Sequence, residues 1–190
     1  EQVKTLAAQA ETALAPVFAQ IDAVTEKNTA RVLDSFRRHR VSETMFAGST
    51  GYGYGDVGRD AMGEIYADVF GAEAAFVRHQ FVNGTQAIST VLFGLLRPGD
   101  VMLAVTGSPY DPLSEVIGNK TKNGDGSHAD FGVDYDEVGL LPDGAVDFDG
   151  IAEKLRTLGD RVKIVFIQRS KGYANRPTLS SVEIGEIAQF

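Results

Sequence analysis

Apolar residues recur at helical spacing through the first forty residues of the chain. From Leu6 to Ile21 they fall three and four positions apart, which places them on one stripe of an amphipathic helix. Pro16 lies inside this stripe, and proline interrupts helical hydrogen bonding, so we expect a break or a kink there. The pattern then predicts a second helical stretch over residues 26–40.

A glycine-rich segment over residues 47–58 leads into the next predicted helix. The positions expected to face inward share a helical spacing: Ala61, Ile65, Val69 and Phe70. Gly71 is the expected stop, because glycine readily adopts the left-handed conformation that ends many helices.

Strand and helix patterns alternate through the rest of the chain. Apolar and β-branched runs predict strands at 75–81, 101–105, 133–138 and 162–168. Amphipathic spacing predicts helices over 85–96 and 148–158 and helix starts at 112 and 179, with a turn at 97–100 and an exposed loop at 119–131. This alternation favours an α/β fold, in which N-terminal helices precede the first part of a mostly parallel sheet.

The expected organisation is a helical segment over residues 1–45 and the first part of a larger domain over residues 46–190, with no linker between them. The last predicted helix stops at Phe190 with its apolar face unfinished. We therefore expect the sequence to be the first part of a longer protein.

Charge and composition argue against several classes of function. Lys plus Arg number 18 and Asp plus Glu 26, a net charge of −8, whereas a general nucleic-acid binder needs a basic face. The chain has no cysteine, and its three histidines, His39, His79 and His128, lie far apart, so we expect no metal site. No apolar run approaches membrane-spanning length and no signal-peptide pattern is present, so we expect a soluble cytoplasmic protein with no membrane partner.

The glycine-rich segment has the G-x-G-x-x-G spacing of dinucleotide-binding loops at Gly53, Gly55 and Gly58. That fingerprint needs an apolar strand before the loop, and the preceding residues make a poor strand. A nicotinamide- or nucleotide-binding oxidoreductase built on these glycines is kept as an alternative. The favoured interpretation is a flexible loop that presents Tyr52 and Tyr54.

An anion site is indicated where Asn83, Gly84 and Thr85 follow a predicted strand and open a helix. The first backbone N–H groups of a helix have no partner within it, and the helix dipole favours an anion there. Gly84 allows close approach, and Thr85 adds a hydroxyl donor. The alternative is a plain N-cap in which Asn83 or Thr85 caps the helix.

Two further loops follow predicted strands. The first, after residues 101–105, carries Tyr110. The second, after residues 162–168, carries three positive charges: Arg169, Lys171 and Arg176. Because open α/β sheets bind ligands outside the carboxyl ends of their strands, we expect Tyr110 beside whatever residues 84–85 hold. The alternatives are a proline-stiffened turn around Tyr110 and solvent-facing charge in the second loop.

Four motifs occur along the chain in a specific order: FAGSTGYGY at 46–54, HQFVNGTQAI at 79–88, GSPYD at 107–111 and QRSKGY at 168–173. Together they resemble the aluminium-resistance, or methionine gamma-lyase-like, family. This family is a branch of the fold-type-I enzymes that use pyridoxal 5′-phosphate and is related to cystathionine beta-lyase. Each motif alone is common, but the combination is specific, and the resemblance runs through nearly the whole chain.

The resemblance implies a carbon–sulfur lyase of the methionine gamma-lyase or cystathionine beta-lyase type, which acts on a small sulfur amino acid with pyridoxal 5′-phosphate as cofactor. It assigns the cofactor phosphate to the backbone of Gly84, Thr85 and Gln86. It implies that Tyr110 stacks on the pyridine ring and that Arg169 lies near the cofactor's edge. In relatives, the segment that matches Tyr52 and Tyr54 reaches into the neighbouring subunit's site, so we expect a homodimer or homotetramer with shared active sites.

In this family, the acid that pairs with the pyridine nitrogen and the lysine that forms the Schiff base both lie later in the sequence than residue 190. Residues 46–190 would then be an incomplete cofactor-binding large domain. Lys171 stands at a strand end and is the available substitute, but in the family its motif precedes the acidic strand. The resemblance therefore implies that this chain alone is catalytically incomplete. A non-catalytic part that assembles with a partner chain is a further alternative.

Overall fold

The computed structural model describes residues 1–120 and 124–190, and its internal contacts divide the chain into two units, Glu1–Gln80 and Phe81–Phe190. The boundary expected at residues 45–46 falls inside the first unit. The loop expected over residues 119–131 lies partly outside the described residues.

Helix α1 runs without interruption from Gln2 to Arg38 and passes through Pro16. No break occurs there, and residues 26–38 continue the same helix rather than forming a second one. A proline in a helix interior costs about 3 kcal/mol, a local penalty that the other hydrogen bonds of a long helix can outweigh. Most of the predicted apolar stripe is exposed, for example Phe18 at 47% and Ile21 at 55%.

Helix α2, Val57–Phe70, ends at Gly71, which has a φ of 66° and confirms the predicted stop. Ala61 and Ile65 are buried, as expected from the helical spacing. Phe70 is 74% exposed, so its predicted inward position is wrong. It is the last residue of the helix, where no further turn remains to cover its ring.

Side chains of α1 and α2 join the two helices through a small polar cluster. The buried Ser35 hydroxyl donates to the Asp68 carboxylate at 2.7 Å, and the Arg38 guanidinium donates to the same carboxylate oxygen. His39 lies 3.2 Å from Glu64 on the next turn of α2. The Ser35 hydrogen bond and the Arg38 charge lower the pKa of Asp68, because both favour the ionised carboxylate.

Residues 75–81 form no strand, so that prediction is wrong. A strand needs a neighbour for its backbone hydrogen bonds, and the described part of the first unit contains only helical elements and loops. The segment instead crosses α2, where the carbonyl of Ala75 would lie 2.9 Å from a Cβ at Gly63. The start of this segment thus packs its backbone closely against α2 and does not pair in a sheet.

The second unit confirms the predicted α/β fold. Its elements are α3 (Gly84–Leu95), β1 (Val101–Ala104), α4 (Asp111–Ile117), β2 (Asp134–Glu137), α5 (Phe148–Leu158), β3 (Val162–Phe166) and α6 (Ser181–Gln189). The strands form one parallel sheet in the order β2-β1-β3. Each predicted helix and strand of this unit is present, with strands one or two residues shorter than expected.

Strand β1 is the centre of the fold, and all four of its residues are buried. Met102 packs in a cluster with Leu92, Leu113 and other apolar side chains of α3 and α4. Leu103 packs in a second cluster with Ile151 of α5 and residues of α6. Alternate side chains of one strand thus supply two cores, as expected for a sheet covered on both faces.

Strand β3 was expected to be a buried parallel strand. It is parallel, but Lys163 and Val165 are exposed, because β3 lies at an edge of the three-stranded sheet. Ser180 and Glu183 form the predicted capping box at the start of α6. Among the described residues, no helix is both long and apolar enough to cross a membrane.

His128 is a buried histidine that makes the free energy of unfolding depend on pH. It is 2% exposed, its ring centroid lies 3.9 Å from that of Phe93, and neither ring nitrogen has a hydrogen-bond partner among the described residues. Burial therefore lowers its pKa below the ordinary value of 6.5. The unfolded chain then binds a proton at a higher pH than the folded chain does.

We predict that part of the free energy of unfolding is lost as pH falls below 6.5, and that His128→Leu removes this part. A single group contributes at most about 1.4 kcal/mol per pH unit. Urea unfolding of both proteins between pH 7.5 and 5 measures the difference in slope. His79→Leu, at an exposed position, is the control. Equal slopes for the wild-type chain and His128→Leu would contradict the prediction.

Candidate functional site

The carboxyl ends of β1 and β3 bring two of the predicted loops together. Because the two strands are parallel neighbours, the residues that follow them emerge at the same edge of the sheet. Tyr110 lies in the loop after β1 and is the N-cap residue of α4. Gln168 lies just after β3, and its side-chain oxygen accepts a hydrogen bond from the Tyr110 N–H at 2.9 Å.

The N-terminus of α3 is capped by Asn83, one of the two alternatives that the sequence left open. The Asn83 side chain accepts from the Gln86 N–H at 2.8 Å. The N–H groups of Gly84 and Thr85 donate to no group in the part of the chain that the structure describes. The first turn of α3 carries no acidic residue, so two backbone donors and the positive end of the helix dipole meet no competing carboxylate there.

The structure brings Thr85 and Tyr110 together. Their hydroxyl oxygens are 3.0 Å apart, which is a hydrogen bond in which either can donate. The open helix end and the tyrosine ring therefore belong to one site, as the order of strands and loops predicted. A Cβ added at Gly84 would meet no atom within 4 Å, so the space beside Gly84 is open.

A cleft of about 420 Å³ lies beside Tyr110, whose hydroxyl contacts Thr85 at this helix end. Its lining includes Ile88 of α3, Tyr110, Phe166 at the end of β3, and Gln168 and Arg169 of the following loop. The cleft thus combines apolar and aromatic surface with a few polar groups, which is the usual composition of a small-molecule site.

The three basic residues after β3 have different surroundings. Arg176 donates to the carbonyls of Gln168, Ser170 and Pro177, so its guanidinium braces the loop. The Nε of Arg169 donates to the Leu179 carbonyl at 3.1 Å, while the residue itself lines the cleft. Lys171 is exposed. Of the three basic residues that were expected to face a ligand, only Arg169 lines the cleft.

Gln168 belongs to the QRSKGY motif, but the sequence alone assigns it no role. In the structure it links the loops after β1 and β3 through its side chain. The signal that was available is its position: it is an uncharged polar residue directly after an apolar strand, at the edge where ligands bind.

The glycine loop lies in the first unit. The segment before it is a short 3-10 helix, Glu43–Phe46, and no strand precedes it in residues 1–46. The dinucleotide-binding alternative therefore lacks the strand that its fingerprint requires. Tyr52 and Tyr54 are 81% and 92% exposed, so the loop does present two tyrosines to its surroundings, as predicted.

The three glycines of this loop serve backbone geometry. Gly53 has a φ of 83°, and a Cβ there would overlap the guanidinium of Arg59, which donates to the Gly53 carbonyl. A Cβ on Gly58 would overlap the carbonyl oxygen of Met45. Gly55 has a φ of 67°, which few other residues adopt.

Asp56 ends the loop and caps α2 by accepting from the Arg59 N–H. Its other carboxylate oxygen accepts from the Ser49 hydroxyl at 2.7 Å. The Ser49 hydrogen bond is the main cause of a lowered pKa at Asp56, because it favours the ionised form. The loop from residue 49 to residue 56 is thus closed by one side chain.

Comparison with known proteins covers both units. A family model described as methionine gamma-lyase matches residues 3–190. The uncharacterized protein YnbB of Bacillus subtilis is 48% identical over 190 residues, which are 100% of this chain and 44% of that protein.

Solved structures give the same result. A Listeria innocua protein, described as a proposed cystathionine beta-lyase involved in aluminium resistance, is 44% identical with a TM-score of 0.94, over 100% of this chain and 45% of that one. A Clostridium novyi protein, described as a carbon-sulfur lyase involved in aluminium resistance, is 40% identical with a TM-score of 0.92, over 99% of this chain and 44% of that one. The chain thus spans less than half the length of these relatives.

The close contact at Gly58 supplies a test of the loop's anchor. We predict that Gly58→Ala destabilises the chain by about 1–3 kcal/mol, since the added methyl forces the Met45 carbonyl to move. Gly94→Ala in α3 is the matched control: it is also helical, its Cβ meets nothing within 4 Å, and it should stabilise by about 0.5–1 kcal/mol. Denaturant unfolding measures both changes, and a neutral Gly58→Ala would contradict the contact.

Proposed function

The chain belongs to the methionine gamma-lyase family, and on that premise we propose that it carries the cofactor-phosphate site of a pyridoxal 5′-phosphate-dependent carbon–sulfur lyase. The substrate would be a sulfur amino acid, cleaved by chemistry of the methionine gamma-lyase or cystathionine beta-lyase type. Similarity to the Clostridium novyi protein over nearly the whole chain supports this choice of reaction.

The observation that carries the proposal is the open N-terminus of α3 next to Tyr110. Two backbone N–H groups, of Gly84 and Thr85, are available to phosphate oxygens at the positive end of a helix. The Thr85 hydroxyl, already 3.0 Å from the Tyr110 hydroxyl, adds a third donor. This donor set fits a phosphate ester and would suit no cation.

The roles of the remaining site residues follow from their contacts. The Gln86 N–H is held by Asn83, and the Gln86 side chain accepts from the Val82 N–H at 2.8 Å. We propose that Gln86 shapes the turn while Gly84 and Thr85 supply the donors. Arg169 lines the cleft beside Tyr110 and would face the edge of a bound ring.

When bound, pyridoxal 5′-phosphate supplies an electron-withdrawing ring that stabilises negative charge on the substrate carbon next to the amine. The described residues of this chain would anchor and orient the cofactor. The α3 N-terminus would hold the phosphate, and Tyr110, which lines the cleft, would supply an aromatic ring beside it. An amine that reacts with the cofactor and an acid that holds its ring nitrogen protonated are also required.

The test of the phosphate site uses 4′-deoxypyridoxine 5′-phosphate, which lacks the aldehyde and cannot label lysines. We predict that Thr85→Ala raises its Kd about fivefold, the effect of losing one hydrogen bond worth ~1 kcal/mol. Isothermal titration of the chain measures this Kd. Thr90→Ala, on the exposed side of the same helix, is the control variant. The phosphate-free analogue, 4′-deoxypyridoxine, is the control ligand and should bind more weakly than the phosphorylated compound. Equal affinity for the two ligands would contradict the proposed site.

The same preparation also tests whether Lys171 is the lysine that reacts with the cofactor. After incubation with pyridoxal 5′-phosphate and borohydride reduction, peptide mapping should show scattered labelling of surface lysines or none. A single stoichiometric adduct on Lys171 would identify Lys171 as the reactive amine and contradict the position that the family resemblance implies for it.

We also propose that Tyr52 or Tyr54 lies at an interface between subunits of a homo-oligomer that shares its active sites. Their exposure of 81% and 92% on a glycine-rich loop supports this, because burying exposed aromatic rings against a second subunit removes apolar surface from water.

Sedimentation velocity at micromolar concentration should therefore show an oligomer that the double variant Tyr52→Ala, Tyr54→Ala weakens. Tyr173→Ala, at a fully exposed tyrosine of another loop, is the control and should leave the oligomer unchanged. A monomeric wild-type protein would contradict this proposal.

A further inference from the structure

Gln168 joins the two loops of the cleft through both ends of its side-chain amide. The oxygen accepts from the Tyr110 N–H at 2.9 Å, and the nitrogen donates to the Ser170 carbonyl at 3.1 Å. A backbone N–H requires an acceptor and a carbonyl requires a donor, so both partners specify the same orientation of the amide.

The backbone of Gln168 is itself held in place. Its N–H donates to the hydroxyl of Thr106, which is 3% exposed, at 3.0 Å. Its carbonyl accepts from Arg176 at 2.9 Å. The side chain of Gln168 therefore starts from a fixed point next to the end of β1.

Tyr110 depends on this side chain in a way that its other contacts do not replace. Its carbonyl accepts from the N–H groups of Leu113 and Ser114 in the first turn of α4, and its hydroxyl meets Thr85. Its N–H precedes the helix and donates only to Gln168 among the described residues. The Ser170 carbonyl, in contrast, also accepts from Arg176 at 2.7 Å.

We propose that Gln168 is a positioning residue that fixes the Tyr110 ring against Thr85, and so sets the aromatic wall of the phosphate site. Only the statement that the Tyr110 ring borders a phosphate site rests on the proposed function. The positioning itself follows from the hydrogen bonds of Gln168. Thr106 still accepts from the Gln168 N–H when the side chain is changed, but the Tyr110 N–H then loses its acceptor, and the part of the loop that carries the ring is no longer held against Thr85.

The test follows the backbone amide of Tyr110 by NMR in chain labelled with [15N]tyrosine. The sequence has six tyrosines, so six signals are expected, and Tyr110→Phe identifies the one that disappears. Gln168→Met removes the acceptor at nearly constant volume and should speed hydrogen exchange of the Tyr110 amide about fivefold. Gln168→Glu keeps an acceptor oxygen and should restore the protection, a rescue that a merely space-filling role would not produce.

Gln189→Met, at an exposed site on α6, is the matched control and should leave all six signals unchanged. Unchanged exchange in Gln168→Met, or equally fast exchange in Gln168→Glu, would overturn the proposal. Titration with 4′-deoxypyridoxine 5′-phosphate forms a separate arm. Weaker binding to Gln168→Met than to Gln189→Met supports the link to the site, and equal binding to both overturns it. If the wild-type chain does not bind the compound, the proposed function fails while the exchange data still decide the role of Gln168.

Discussion

Parallel pairing of β1 with β3 is the constraint on which the candidate site depends. Because parallel strands end at one edge, the loops that contain Tyr110 and Gln168 have to meet there. The buried position of β1 between β2 and β3 fixes that edge, since its side chains feed the cores on both faces of the sheet. Strand order therefore decides which loops meet at this edge, and the side chains of those loops decide what chemistry is possible there.

The site at this edge is built from hydrogen-bonding groups that the fold leaves unpaired. A helix N-terminus has more donors than acceptors, and at α3 the Asn83 cap takes one of them. In the part of the chain that the structure describes, the N–H groups of Thr85 and the neighbouring Gly84 meet no acceptor, as the proposed anion site requires. Around them the opposite holds: Arg176 and Gln168 satisfy the loop carbonyls, so the loops are held by internal bonds. Rigid surroundings and a few free donors are what an oriented small-molecule site needs.

The glycine loop of the first unit shows that one sequence spacing can have two physical causes. In a dinucleotide fold, the glycines let a pyrophosphate approach the backbone. Here Gly53 makes room for Arg59, and Gly58 makes room for the Met45 carbonyl. The loop is organised from within and turns Tyr52 and Tyr54 outwards. This arrangement is compatible with the proposed subunit interface, in which a neighbouring subunit would cover the two exposed rings.

The sequence by itself determined whatever depends on local chemistry. Helix α5 occupies the predicted residues, Ser180 caps α6 and Gly71 ends α2, because caps and amphipathic spacing act within a few residues of each other. The motif order also indicated the family, and the strand–loop order placed Tyr110 near Thr85. Tertiary structure alone decided the features that need a distant partner. Residues 75–81 have strand-like composition but no strand to pair with, and the N–H of Tyr110 reaches an acceptor 58 residues away. Such pairings are properties of the folded chain, since no local pattern records which distant groups will meet.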